Sequence, residues 1–154
     1  ASSSMSSESA ETTAEGVYNA LPLEIQNATS GCNSSSAPAG MASFSITCDM
    51  IEDESSVKVF KESGPYSTPK VKFAVNTEEA MRERALIKKG SYKNGTDAEP
   101  VSSSDEAALA IASEGSLSDV ELHYANKETG LIIESRDFAS PDSALDWLRN
   151  YNLL

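Results

Sequence analysis

The chain's two cysteines, Cys32 and Cys48, bracket the stretch that most constrains its fold. Between them a loop rich in Gly, Ser, Pro and Ala gives way to Ala42-Ser43-Phe44-Ser45-Ile46-Thr47-Cys48. That run alternates as a β-strand does, with Phe44, Ile46 and Cys48 on one face and Ser43, Ser45 and Thr47 on the other. Upstream, Leu21, Ile25 and Ala28 recur at i, i+4 and i+7, Pro22 suits a first helical turn, and Gly31 suits a stop. A helix in the second part of residues 17–30 is therefore predicted to end beside Cys32. Three states are open to such a pair: free thiols, a share in a metal site, or a disulfide. The chain has one His and no C-x-x-C, so four soft ligands cannot be assembled. The serine-rich leader is of a kind that exported proteins often carry, and it favours the disulfide. Such a bridge staples the helix end to the strand, contributes roughly 3 kcal/mol in the chain-entropy model, and belongs to an oxidising compartment.

Charge is distributed unevenly. The 154 residues carry a formal net charge of −12, yet no Lys or Arg precedes Lys58. Lys58, Lys61, Lys70, Lys72, Arg82, Arg84, Lys88, Lys89 and Lys93 form a basic segment between two acidic ones. Within one fold this can simply balance charge. The sharper reading is a basic face for an anionic partner, made by Lys70, Lys72, Arg82, Arg84, Lys88 and Lys89. The overall acidity argues against nucleic acid as that partner. No run of about 18 apolar residues spans a membrane.

Residues 1–16, rich in Ser, Thr, Ala and Glu, hold little that can be buried and read as a flexible stalk. Residues 17–154 read as a single α+β domain. Met50-Ile51 extend the first strand, and Glu52-Asp53-Glu54 make a solvated turn. Strands follow at 57–61 and 70–75. In the second of these, Val71, Phe73 and Val75 face inward, and Lys70 and Lys72 outward. Asn76 with Glu79 forms a capping box for a helix over 77–89, which Gly90 ends. Ala80, Met81, Ala85 and Ile87 or Leu86 give that helix its buried stripe. Residues 90–104 are a loop, and 105–113 a brief helix or a strand. Strands at 117–125 and 131–136 flank a Gly-containing hairpin loop. Ser140-Pro141-Asp142 starts a last helix, docked through Ala144, Leu145, Leu148 and Tyr151. Strand, strand, capped helix thus occurs twice. It predicts two ββα halves forming one antiparallel sheet, with helices packed on one face.

Catalytic signals are sparse. G-x-S-x-G, Walker, H-E-x-x-H and G-x-G-x-x-G patterns do not occur. The lone histidine, His123, falls on the strand face opposite Val120, Leu122 and Tyr124, and a solvated surface is expected there. Glu121, Glu134 and Asp137 can approach across the hairpin, the arrangement a small hydrolase would need. Asn27, Asn33 and Asn94 open N-x-S/T sequons, which acquire glycans only in a eukaryotic secretory protein.

The run from Leu21-Pro22 through Cys32 to Ala42-x-Phe44-x-Ile46-x-Cys48, then a strand ending at Val75 before a helix bearing Ala and Met, resembles an actinobacterial extracytoplasmic domain. That domain follows the membrane span of some Ser/Thr protein kinases and occurs in related exported proteins. Leu122-His123-Tyr124, Gly130-Leu131-Ile132 and the Trp147 helix extend the resemblance over about residues 17–151. The later half lacks the second cysteine pair of many such domains. The resemblance implies an external sensing or binding module and supplies no catalytic residues. The expectation is a non-catalytic, extracytoplasmic ligand-binding part of a membrane-anchored receptor, tethered upstream of residue 1. It needs no cofactor or metal, and its partner is a cell-envelope polymer or another extracellular protein. The alternative is a free-standing exported lipoprotein or secreted interaction protein.

Overall fold

The computed structural model describes residues 12–51, 59–61, 68–92, 98–115 and 119–154. Helices α1 (Ala14–Ala20) and α2 (Leu23–Asn27) lead into strand β1 (Thr29–Ser34). Strands β2 (Ile46–Met50) and β3 (Lys70–Val75), helix α3 (Thr77–Lys89), strands β4 (Val101–Ser102), β5 (Ala108–Glu114), β6 (Val120–Asn126) and β7 (Leu131–Ser135), and helix α4 (Pro141–Asn150) follow. The strands form one seven-stranded sheet in the order β1-β2-β3-β7-β6-β5-β4. Every neighbouring pair is antiparallel. The fold is α+β, as the alternation of strand and helix patterns predicted.

Alternation along the strands builds two cores. Ile46, Cys48, Val71, Phe73, Leu122, Tyr124 and Ile133 face one side, where Val17, Leu21 and Ile25 of α1–α2 and Ala144, Trp147 and Leu148 of α4 cover them. Ala74, Ile111, Ala125 and Ile132 face the other, where Ala80 and Ile87 of α3 pack. Three helices thus share one face and α3 takes the opposite one, which corrects the expectation of helices on one face only. The order strand, strand, helix does recur as β2-β3-α3 and β6-β7-α4. The two units are not equivalent, because their helices cover opposite faces.

Local chemistry accounts for the boundaries. The side chain of Asn76 accepts the Glu79 N–H, and Gly90 closes α3 at φ 86°. Ser140 accepts the Ser143 N–H in the same way, with Pro141 in the first turn of α4. Pro22 does not open one long helix. It stands at the N-cap of α2, and Leu21 before it is extended, as a residue preceding proline prefers. The chain therefore turns between two short helices. Ala14–Ala20, capped by the Thr13 hydroxyl, is helical and buries Val17, so the expected stalk ends earlier than residue 16. Residues 1–11 lie outside the described residues.

Several expected elements shift. Cys32 is in β1, not at a helix end, because the chain after α2 extends and pairs with β2. The strand expected over 42–48 begins at Ile46, since Ala39 and Ala42 tuck in against α3 while Phe44 packs with the other core. Residues 105–113 resolve as strand β5, not a helix. The strand expected over 57–61 lies partly outside the described residues, and Phe60 there makes an isolated antiparallel bridge to Phe138. The acidic turn Glu52-Asp53-Glu54 also lies outside them. Among the described residues no helix is long and apolar enough to cross a membrane.

Candidate functional site

Cys32 and Cys48 are directly opposite across β1 and β2, with Cα atoms 4.0 Å apart, and they form a disulfide. Structural disulfides form and persist in oxidising compartments, which suits a chain working outside the cytoplasm. The bridge ties the ends of the loop that crosses to α3. Cys48 is fully buried, whereas Asn33 beside Cys32 is exposed on the edge strand.

On the α3 side, one cross-strand row runs the width of the sheet. Asn33, Thr47, Lys72, Glu134, His123 and Ile111 stand opposite one another in register through β1, β2, β3, β7, β6 and β5. Opposed residues share a face, so these side chains form one line. The far end of the line is roofed by α3 and the near end is open.

Under the roof, Glu83 lies on the stripe of α3 that faces the sheet, between Ala80 and Ile87. It has no exposed surface, and His123 is only 4% exposed. Glu83 Oε1 accepts the Tyr92 hydroxyl at 2.7 Å and the Met41 N–H at 3.2 Å. Glu83 Oε2 faces His123 Nδ1 at 3.6 Å, and neither atom has another hydrogen-bond partner. The Tyr92 ring stacks on the imidazole with centroids 3.7 Å apart, and Glu121 Oε1 lies 3.4 Å from His123 Nε2. Burial, reinforced by the hydrogen bond to Glu83 and by the charges of Glu83 and Glu134, raises the Tyr92 hydroxyl well above the usual tyrosine range. The solvated surface expected at His123 is thus corrected: α3 and Tyr92 cover that part of the face. Glu83 and His123 are thus sealed between α3 and the sheet.

The same glutamates hold the loop after β1. Gly40 N–H donates to Glu134 Oε1 at 2.8 Å, Met41 N–H to Glu83, and Ser43 N–H to the Glu79 carboxylate at 3.2 Å. Three backbone donors meet three carboxylates, so the loop is strapped across α3 and β7.

The open end forms a cleft of about 190 Å³ lined by Thr47, Lys70, Lys72, Glu134, Ser135, Arg136 and Asp137. Most of its charges are already engaged. Lys70 pairs with Asp49, and its N–H donates to Asp137 Oδ2 at 2.7 Å. Glu134 is taken by Gly40. Arg136 reaches Glu121 only at 3.9 Å and is largely exposed. Lys72 meets no carboxylate within ion-pair distance among the described residues. It is the half-buried cation of this cleft.

Of the six expected basic residues, Lys70 and Lys72 line this cleft and the α3 residues do not. Arg84 donates to the Glu106 carbonyl at 2.8 Å, and Arg82, Lys88 and Lys89 lie on the exposed side of α3. Glu121, Glu134 and Asp137 each serve a different partner, respectively His123, Gly40 and Lys70. Asn27 and Asn33 are exposed, and Asn94 lies outside the described residues. Among the described residues no group of three or more His, Cys, Asp or Glu is arranged to hold a metal ion. Glu83 and Arg136 were missed. A charged residue on the apolar side of an amphipathic helix was the available signal for Glu83. Arg136 had none, since it stands at a strand end outside the basic segment.

No protein-family model, curated protein or solved structure matches the chain.

Proposed function

We propose that this chain is a non-catalytic binding or sensory module that works outside the cytoplasm. In this reading it holds an anionic group of a cell-envelope polymer or extracellular protein at the cleft around Lys72. The observation that carries the reading is Lys72 itself, a half-buried cation with no acidic partner within ion-pair distance among the described residues, set between Thr47 and Glu134 on the sheet. Arg136 supplies a second, loosely held cation on the rim, and the Ser135 and Thr47 hydroxyls supply polar contacts. The neighbouring carboxylates of Glu134 and Asp137 limit how much negative charge the cleft accepts, which suits a single carboxylate or phosphate on a polyol better than a dense polyanion. The disulfide supports the location. The resemblance to the external domains of actinobacterial kinases supports a membrane-tethered receptor, and a free-standing exported lipoprotein would use the cleft in the same way.

The test is equilibrium titration of the chain with soluble envelope glycans carrying carboxylates or phosphodiesters, at low and physiological salt. Binding should weaken with salt and fall about tenfold or more in Lys72→Glu, the scale of a charge-assisted hydrogen bond. Equal binding by the wild type and by Lys72→Glu and Arg136→Glu removes the cleft as the site.

A further inference from the structure

The sheet ends differently at its two edges. At one edge β4 is a two-residue strand preceded by Pro100, short enough to discourage pairing. At the other, β1 runs for six residues, Thr-Ser-Gly-Cys-Asn-Ser, with no charge and no proline. Among the described residues nothing pairs with its outer side.

The hydrogen-bond phase of β1 is fixed by the Ser35 N–H, which donates to Ser45 O at 2.9 Å. Alternation from that pair turns the backbone groups of Asn33 and Gly31 toward β2. It turns the N–H and C=O of Ser34 and Cys32 outward. The disulfide to Cys48 holds the strand in this register, so the outward groups are pre-organised.

Beside this edge lies a groove of about 420 Å³, lined by Ala14, Glu15 and Tyr18 of α1 and by 29–32 of β1. A helix flanking an open strand edge, with a mostly apolar trough between them, is the geometry that receives an extended peptide as an added strand. The backbone supplies affinity, and the trough takes alternate side chains. Charge selects the occupant. The described residues 12–51 carry Glu15, Glu24 and Asp49 and no Lys or Arg, and Glu15 stands in the groove wall.

We propose that β1 is a docking edge that takes an extended, Lys- or Arg-bearing segment of a partner protein by strand addition, with its basic side chain against Glu15. This surface is separate from the Lys72 cleft and opposite to it in charge preference. A second copy of this chain is disfavoured by the net charge of −12.

The experiment is amide hydrogen exchange by NMR on the full chain, with and without an eight-residue peptide of alternating Val and Lys. A control peptide of the same charge has Pro in place of each Val and N-methyl-Lys in place of each Lys, and cannot donate a backbone N–H. The Val/Lys peptide should slow exchange at Ser34 and Cys32 by about tenfold or more. The Pro peptide should leave both unchanged, and Glu15→Lys, at an exposed site that leaves the fold intact, should weaken the effect. Any of four results overturns the proposal. The first is no protection at Ser34 and Cys32, and the second is equal binding of the two peptides. The third is protection that grows with protein concentration alone, which assigns the edge to a second copy. The fourth is protection already present without peptide at every concentration, which assigns it to the chain's own segment.

Discussion

Gly40 lies so close to Glu83 that a Cβ placed on it comes within 2.3 Å of Glu83 Oε2. The glycine also sits at φ 45°, in the left-handed region. Both facts follow from the strap: Gly40 and Met41 donate N–H groups to Glu134 and Glu83, which draws the loop backbone onto a buried carboxylate.

Gly40→Ala should therefore destabilise the chain by at least about 1–2 kcal/mol, the cost of a left-handed non-glycine residue alone. Urea denaturation followed by circular dichroism measures it. An unchanged midpoint means that the strap is not held as described.

Glu83→Ala should cost about 1–3 kcal/mol, because the Tyr92 hydroxyl and Met41 N–H lose their acceptor inside the protein. Tyr92→Phe should cost less, since the Met41 N–H still satisfies Glu83 Oε1. A double-mutant cycle on Glu83 and Tyr92 reads their coupling, and additive losses would contradict the shared hydrogen bond.

Alkaline pH probes the same cluster. Tyr92 is held above its ordinary value of 10.0 by burial first and then by Glu83. Tyr124 is pushed up to about 12, mainly by burial. The folded chain keeps protons that the unfolded chain releases above pH 10, so the sign is fixed. This part of the stability is fully present below pH 10 and is lost as the pH rises through the folded values. Urea midpoints between neutral pH and about pH 11 should fall at the alkaline end, with a shallower fall in Tyr92→Phe.

The aromatic cluster under α4 gives a second stability test. Phe138 stacks on Phe60 at 4.9 Å and meets Trp147 edge-on at 5.5 Å. Phe138→Ala should cost about 3–5 kcal/mol through lost burial and the cavity left behind. The chain has a single tryptophan, so emission from Trp147 reports directly. A red-shifted spectrum in the folded variant is expected, and an unchanged spectrum and midpoint would contradict the packing.

How much of this was legible in the sequence depended on whether the signal was local. Helix α3 over 77–89 and strand β3 over 70–75 were predicted with the bounds observed, because Asn76, Gly90 and the Val71-Phe73-Val75 alternation act within a few residues. Strand β1 carried no such pattern: Thr-Ser-Gly-Cys-Asn-Ser is a strand only because β2 and the disulfide hold it. The side of the sheet that α3 covers is likewise a tertiary fact: His123 is on the face expected for it, but α3 buries what was expected to be solvated. Met81, expected in the buried stripe, is 58% exposed, while Glu83 is sealed. Burying a carboxylate needs the donors of Tyr92 and Met41, which no helical periodicity announces. Lys70 and Lys72, which line the cleft, are visible in the sequence as the outward positions of an alternating strand. The strand order that places Arg136 on the same cleft was not.

The account rests most directly on the bond between Cys32 and Cys48, which fixes the edge hairpin and supports a place outside the cytoplasm. The direct measurement is the intact mass of protein taken from its native compartment into a thiol-alkylating agent without reductant. The account predicts one unalkylated species, lighter than the reduced chain by two hydrogens. Reduction should then lower stability by roughly 3 kcal/mol. Alkylation of both cysteines in the untreated protein would contradict the account.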